Sequence, residues 1–221
     1  MALFALDSLI ELFSLYFREG RVSAVAKPLL VILLILYCLR ATSRKNSSFY
    51  LLLSALACSW LGDVLLMLEQ KNALFFLYGL VSFLIAHVFY ILLFLKIGNH
   101  RQPPAGWNLA ILTGVAIYTA GLFLFLKPFL GALQVPVLLY AMALSGMLVS
   151  SIRAFGKSPR GHGWPCIIGA IFFVISDSML AVNRFYMPIA DSGIWVMGSY
   201  MAAQWLIAKG IVSYLNFKAG Q

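Results

Sequence analysis

Apolar runs of about 20 residues, the length of helix that crosses a bilayer's hydrocarbon core, alternate along this chain with short clusters of turn-forming and basic residues. Seven runs reach that length: Val22 to Leu39, Ser48 to Leu68, Ala73 to Leu95, Trp107 to Leu126, Ala132 to Ile152, Trp164 to Phe185 and Ser192 to Leu215. The connectors, such as RATSRKNSS, HRQPPAG and FGKSPRGHG, are short and rich in helix-breaking residues. An eighth segment, Ala2 to Phe17, is apolar apart from Asp7 and Glu11, which fall four apart and share one helix face. It has no basic start and no Ala-x-Ala cleavage site, so it reads as a spanning helix rather than a signal peptide, with a helix lying on the membrane surface as the alternative. The pattern predicts an all-α integral membrane protein. Residues 1–221 form one transmembrane domain in this reading, a bundle of eight helices, or seven if the first does not cross.

Composition agrees, with 62% hydrophobic residues, 10% charged residues and a mean hydropathy of +0.94. Lipid is therefore the solvent. The net charge of +9 does not point to nucleic acid, because the basic residues lie between apolar runs and form no stripe on a soluble face. They orient the helices instead. With eight spans, Arg40, Arg44, Lys45, Lys96, Arg101, Arg153, Lys157, Arg160 and Lys218 collect on one side, against Arg18, Arg21, Lys71, Lys127 and Arg184 on the other. The richer side, and with it both termini, is expected to be cytoplasmic. Cys38, Cys58 and Cys166 have neither metal-site spacing nor a paired pattern and read as small hydrophobes.

Polar groups inside the spans carry the chemistry, since an ionisable side chain at a helix centre costs about 2.5 to 3.5 kcal/mol on insertion scales. Counting at 1.5 Å per residue puts Asp63 roughly 8 Å and Asp177 roughly 12 Å below the outer ends of their helices. Lys27 lies at a similar depth, ahead of Pro28 at what reads as a helix start; Tyr200 matches them, and Gln204 follows one turn deeper. His87 falls nearer the middle, on one face with Gly79 and Phe83, and Tyr90 comes one turn later. These groups at matching depth predict a polar cavity. Asn183, Arg184 and Glu69 stand at the outer boundary, Glu69 as a solvated residue and Arg184 near lipid head groups.

GDVLLM around Asp63 and SDSMLA around Asp177 each place a small residue before the Asp and an apolar stretch after it, 114 residues apart. A four-plus-four helix duplication would relate them by an axis along the membrane normal. Two carboxyl groups meeting in a poorly hydrated cavity cannot easily both ionise, so they share a proton and offer a general acid beside a general base. Other chemistries lack their residues. His87 is the one histidine in a span, which leaves no cluster for an intramembrane zinc site; there is no GxSxG elbow and no Gly-rich phosphate loop. Trp60 stands where the Gly-x-Gly-Asp motif of intramembrane aspartyl proteases has its first glycine.

Lys27-Pro28-Leu29, Leu61-Gly62-Asp63-Val64-Leu65-Leu66, the Gly79, His87, Tyr90 series, Phe173-Val174-Ile175-Ser176-Asp177-Ser178 with Asn183-Arg184-Phe185, and Tyr200-Met201-Ala202-Ala203-Gln204 together resemble the YhhN family of membrane proteins, which includes the mammalian lysoplasmalogenases. The resemblance covers nearly the whole chain. It implies an eight-helix enzyme that hydrolyses the vinyl ether of lysoplasmalogens to a fatty aldehyde and glycerophosphoethanolamine or glycerophosphocholine. Asp63 and Asp177 would be catalytic; Lys27, His87, Tyr90, Asn183, Arg184, Tyr200 and Gln204 would bind substrate. No cofactor or metal is implied, and the partners are a lysophospholipid and membrane lipid. The expected location is a bacterial inner membrane; the chain specifies no oligomeric state. The alternative from another class is a proton-coupled transporter or lipid carrier using the same buried carboxylates.

Overall fold

The computed structural model describes residues 2–43, 45–98, 107–156 and 163–220. Eight α-helices follow one another among them: α1 (Ala2–Tyr16), α2 (Gly20–Ala41), α3 (Ser47–Met67), α4 (Leu74–Gly98), α5 (Trp107–Leu126), α6 (Gln134–Phe155), α7 (Trp164–Phe185) and α8 (Ser192–Ala219). Each matches one of the apolar runs to within a few residues. Two 3₁₀ turns, Lys127–Phe129 and Gly131–Leu133, join α5 to α6 around Pro128 and around Gly131, whose φ of +51° suits a residue without a Cβ. Local chemistry sets the ends. The Asn46 side chain accepts the Phe49 amide at 3.0 Å to cap α3, and Pro165 opens α7 where its missing N–H costs nothing.

Six helices, α2 to α7, are long and apolar enough to cross a membrane; the chain is a multi-pass membrane protein. At 15 residues, α1 reaches about 22 Å, short of a core of about 30 Å. Its faces are reversed relative to a soluble helix. Asp7, Glu11 and Ser14 are buried while Leu3, Leu6, Leu9 and Phe13 point outward, as expected where hydrocarbon surrounds the bundle. Glu11 is held by the Ser23 hydroxyl of α2 at 2.8 Å. One expectation is corrected here: Pro28 does not start a helix. The helix begins at Gly20, so Pro28 sits two turns inside and frees the carbonyl of Ala24 from the helical ladder. Arg44, His100, Arg101, Lys157, Arg160 and His162, used above for orientation or for excluding a metal, lie outside the described residues.

The packing order repeats between the two halves. α3 lies along α4 as α7 lies along α8, α2 meets α3 as α6 meets α7, and α1 meets α2 as α5 meets α6; across the halves, α4 packs on α6 and α8 on α2. This is the pairing that a four-plus-four repeat would give. Small residues bring the closest helices together, since apolar side chains gain little by leaving lipid and association rests on close packing. On α7, Gly169 faces the backbone of α8 so closely that a Cβ there would lie 2.8 Å from the carbonyl oxygen of Ala203. Cys166 fills the next turn, its thiol directed to the Ile207 carbonyl at 3.7 Å. Helix α5 is the opposite case: a single stripe through Val115, Thr119 and Leu122 to Leu126 turns inward, and Gly114 meets nothing.

Gly169→Val is expected to destabilise the protein by about 1 to 3 kcal/mol through overpacking, read as a lower melting temperature in detergent. Gly114→Ala, facing open space, should stay within about 1 kcal/mol of wild type. Equal melting of the two variants would remove the close approach of α7 to α8.

Candidate functional site

At the end of the bundle where α3 and α7 finish and α4, α6 and α8 begin, six helices line a cavity of about 100 Å³. Asp63 and Asp177 both line it, with Lys27, Tyr140, Tyr200 and Arg184. Their depths follow from helix position. Asp63 is four residues from the end of α3, about 6 Å; Asp177 is eight from the end of α7, about 12 Å; Lys27, Tyr140 and Tyr200 lie about 9 to 12 Å from the near ends of α2, α6 and α8. Apart from Ser176, the rest of the wall is apolar or aromatic, with Phe76, Leu80 and Phe83 from α4 and Leu180 and Phe185 from α7.

Asp63 is buried, its side chain only 3% exposed. Its Oδ2 accepts the Tyr200 hydroxyl at 2.7 Å, and Lys27 Nζ stands 3.9 Å from Oδ1. Behind Tyr200 runs a chain of donors. Tyr90 donates to Gln204 Oε1 at 2.7 Å, and Gln204 Nε2 donates to the Tyr200 oxygen at 3.2 Å. Tyr90 and Gln204 are thus buried supports behind the wall and do not line the cavity.

Asp177 has different company. Its Oδ2 accepts the Tyr140 hydroxyl at 2.5 Å, and His87 Nε2 lies 3.8 Å from the same oxygen. His87 is fully buried, with Nδ1 2.7 Å from the Phe83 carbonyl. A carbonyl only accepts, so Nδ1 carries the hydrogen and, in the neutral ring, Nε2 presents a lone pair to Asp177. Among the described residues that nitrogen has no hydrogen-bond partner. The His87 ring is wedged edge-on between Tyr140 and Phe173, with centroids at 5.2 and 5.0 Å.

The two environments share a frame. Each Asp is met by a residue from the second helix of its own half, Lys27 or Tyr140, and by one from the fourth helix of the other half, Tyr200 or His87. The corresponding residues are 113 or 114 positions apart. Tyr140 escaped the sequence reading, because a tyrosine in an apolar span is ordinary; its displacement of 113 from Lys27 was the available signal.

At the mouth, Arg184 forms an ion pair with Glu69 and stacks over Phe76, 4.8 Å from the ring centroid. Glu69 is therefore a paired residue, one-quarter exposed, and not the solvated group expected. Asn183 turns away to accept the Ile189 amide at 2.9 Å, fixing the turn into α8, and does not line the cavity.

A family model described as the YhhN family matches residues 22–211, which include every residue of this site. The chain is 33% identical to the lysoplasmalogenase of Mycobacterium bovis over 161 residues, 72% of this chain and 59% of that protein. It is 32% identical to lysoplasmalogenase TMEM86B of Mus musculus over 203 residues, 88% of this chain and 80% of that protein. The Sus scrofa protein of the same name is 32% identical over 190 residues, 86% and 75%. The chain thus spans less than two thirds of the mycobacterial relatives it matches. No solved structure matches it.

Tyr200→Phe leaves a buried carboxyl oxygen without its donor and is expected to cost about 1 to 3 kcal/mol. Tyr118→Phe, which removes an exposed bond to Ser178, should cost less than about 1 kcal/mol. Thermal melting in one detergent decides between them; equal losses would mean that Asp63 is not buried against Tyr200.

Proposed function

The chain belongs to the YhhN family, and from that membership we propose that it is an intramembrane hydrolase of lysoplasmalogens, releasing a fatty aldehyde and glycerophosphoethanolamine or glycerophosphocholine. The observation that carries the reading is a pair of carboxyl groups on one cavity with unlike partners: a lysine beside Asp63, an imidazole and a phenol beside Asp177.

Those partners divide the work. Lys27 gives a negative charge on Asp63 a counterion, which suits a base. Among the described residues Asp177 has no lysine or arginine against it, so it suits the acid. Asp177 transfers its proton to the vinyl carbon remote from oxygen, and an oxocarbenium ion forms next to ionised Asp63. Water adds to the carbon bonded to oxygen and gives a proton to Asp63, leaving a hemiacetal. Asp63 then protonates the glycerol oxygen as its bond to carbon breaks, while Asp177 takes the hemiacetal hydroxyl proton. Aldehyde and alcohol leave with both carboxyls restored. Glycosidases place two carboxyl groups around a related cation.

Arg184, at the wetter mouth, is the group for the phosphate, with Lys27 deeper. Tyr200, Gln204 and Tyr90 act behind Asp63, and His87 behind Asp177, as positioning residues. By the distribution of basic residues the mouth faces away from the cytoplasm; the N-terminus is cytoplasmic if α1 crosses and lies on the outer side if it does not.

Purified protein in detergent, with no gradient across any membrane, is expected to release aldehyde from lysoplasmenylethanolamine. Asp63→Asn and Asp177→Asn should each lower kcat by about 10²- to 10⁴-fold while remaining folded. Arg184→Ala should raise KM by about 10-fold with kcat little changed. Wild-type turnover in both Asp variants removes this mechanism, and a folded wild type with no aldehyde release favours a carrier.

A further inference from the structure

A second cavity lies between α5, α6 and α7, and it shares Val137, Tyr140, Asp177 and Ala181 with the first. Asp177 and Tyr140 are therefore the partition between two spaces rather than the floor of one. The first space leads outward to Arg184. The second leads sideways, past Leu122, Ala141, Leu144 and Val174, to the loosely held helix α5. At its edges α5 is pinned by two bonds, Tyr118 to Ser178 of α7 at 2.7 Å and Thr119 to Ser145 of α6 at 2.5 Å.

We infer that this second cavity is the binding site for the substrate's hydrocarbon chain, and that α5 forms its wall toward the lipid. The inference rests on the hydrolase reading and goes beyond it by assigning a place to the tail. The reactive bond of a vinyl ether lies between the two ends of the molecule: the head group hangs from its oxygen, the alkyl chain from its carbon. When that bond is at Asp177 the ends must leave in different directions. The oxygen side has the path toward Arg184. The carbon side requires an apolar space that also touches Asp177, and the cleft under α5 does. From Val137 to Ser145 it runs about 4 to 16 Å below the outer end of α6, a depth at which hydrocarbon is the natural occupant.

Two measurements test this on the full-length purified protein. Ala141→Phe and Leu122→Trp place bulk in the cleft without touching either Asp. Each is expected to lower kcat/KM at least 10-fold for an 18-carbon alkenyl lysophospholipid, and to stay within threefold of wild type for a 6-carbon one. Equal loss on both chain lengths, or no loss on the long one from folded variants, overturns the assignment. The second measurement needs no turnover. A saturated lysophospholipid with a diazirine at the chain end is photolysed with the protein and the adducts are mapped by mass spectrometry. Adducts on Leu122, Ala141, Leu144 or Val174 that Ala141→Phe suppresses support it. Adducts confined to lipid-facing positions such as Leu112, Leu139 and Ile175 overturn it. Cleft adducts without aldehyde release from the unsaturated substrate keep the chain site and count against the hydrolase reading alone.

Discussion

Hydrogen bonds delivered from other helices are what allow two carboxyl groups to stand inside an apolar bundle. An unpartnered acid at that depth costs several kcal/mol. Here Asp63 is met by Tyr200 and Lys27, and Asp177 by Tyr140 with His87 close by. These contacts tie α3 to α8 and α2, and α7 to α6 and α4, so the demand of the two acids for partners also fixes which helices are neighbours. The glycines at the α7 to α8 contact and the buried aromatic rings then hold those partners in register.

A frame that repeats carries chemistry that does not. The second helix of one half supplies an ammonium and the other a phenol; the fourth helix supplies a phenol and an imidazole. Had both halves kept one set, the two acids would behave alike and share a proton evenly. The substitution of partners within a common geometry separates them, and it needs no change in helix placement.

Much of this was legible in the chain. Hydrophobic run length located all eight helices, because in lipid every backbone group must be satisfied within its own segment and helix length follows membrane thickness. Asp63 and Asp177 stood out for the same reason, as costly residues at similar depth. Three things were hidden. The place of Pro28, inside α2 rather than at a helix start, was misread because the proline rule marks a boundary more often than a kink. Tyr140 and the inward role of Glu11 depend on which face of a helix meets which neighbour, and spacing along one strand of sequence does not specify that. The pairing of Glu69 with Arg184 joins the ends of α3 and α7, more than a hundred residues apart.

The donors behind Asp63 have a direction. Tyr90, Gln204 and Tyr200 all point their hydrogens toward the acid, and the middle member is an amide. A carboxamide donates at nitrogen and accepts at oxygen, and it cannot forward a proton from one to the other without giving up its resonance. The string therefore clamps Asp63 and at the same time acts as an insulator, closed to proton flow from the middle of the bilayer. Any proton that Asp63 exchanges has to travel by another route than this string, and the cavity that the carboxyl lines is open to it.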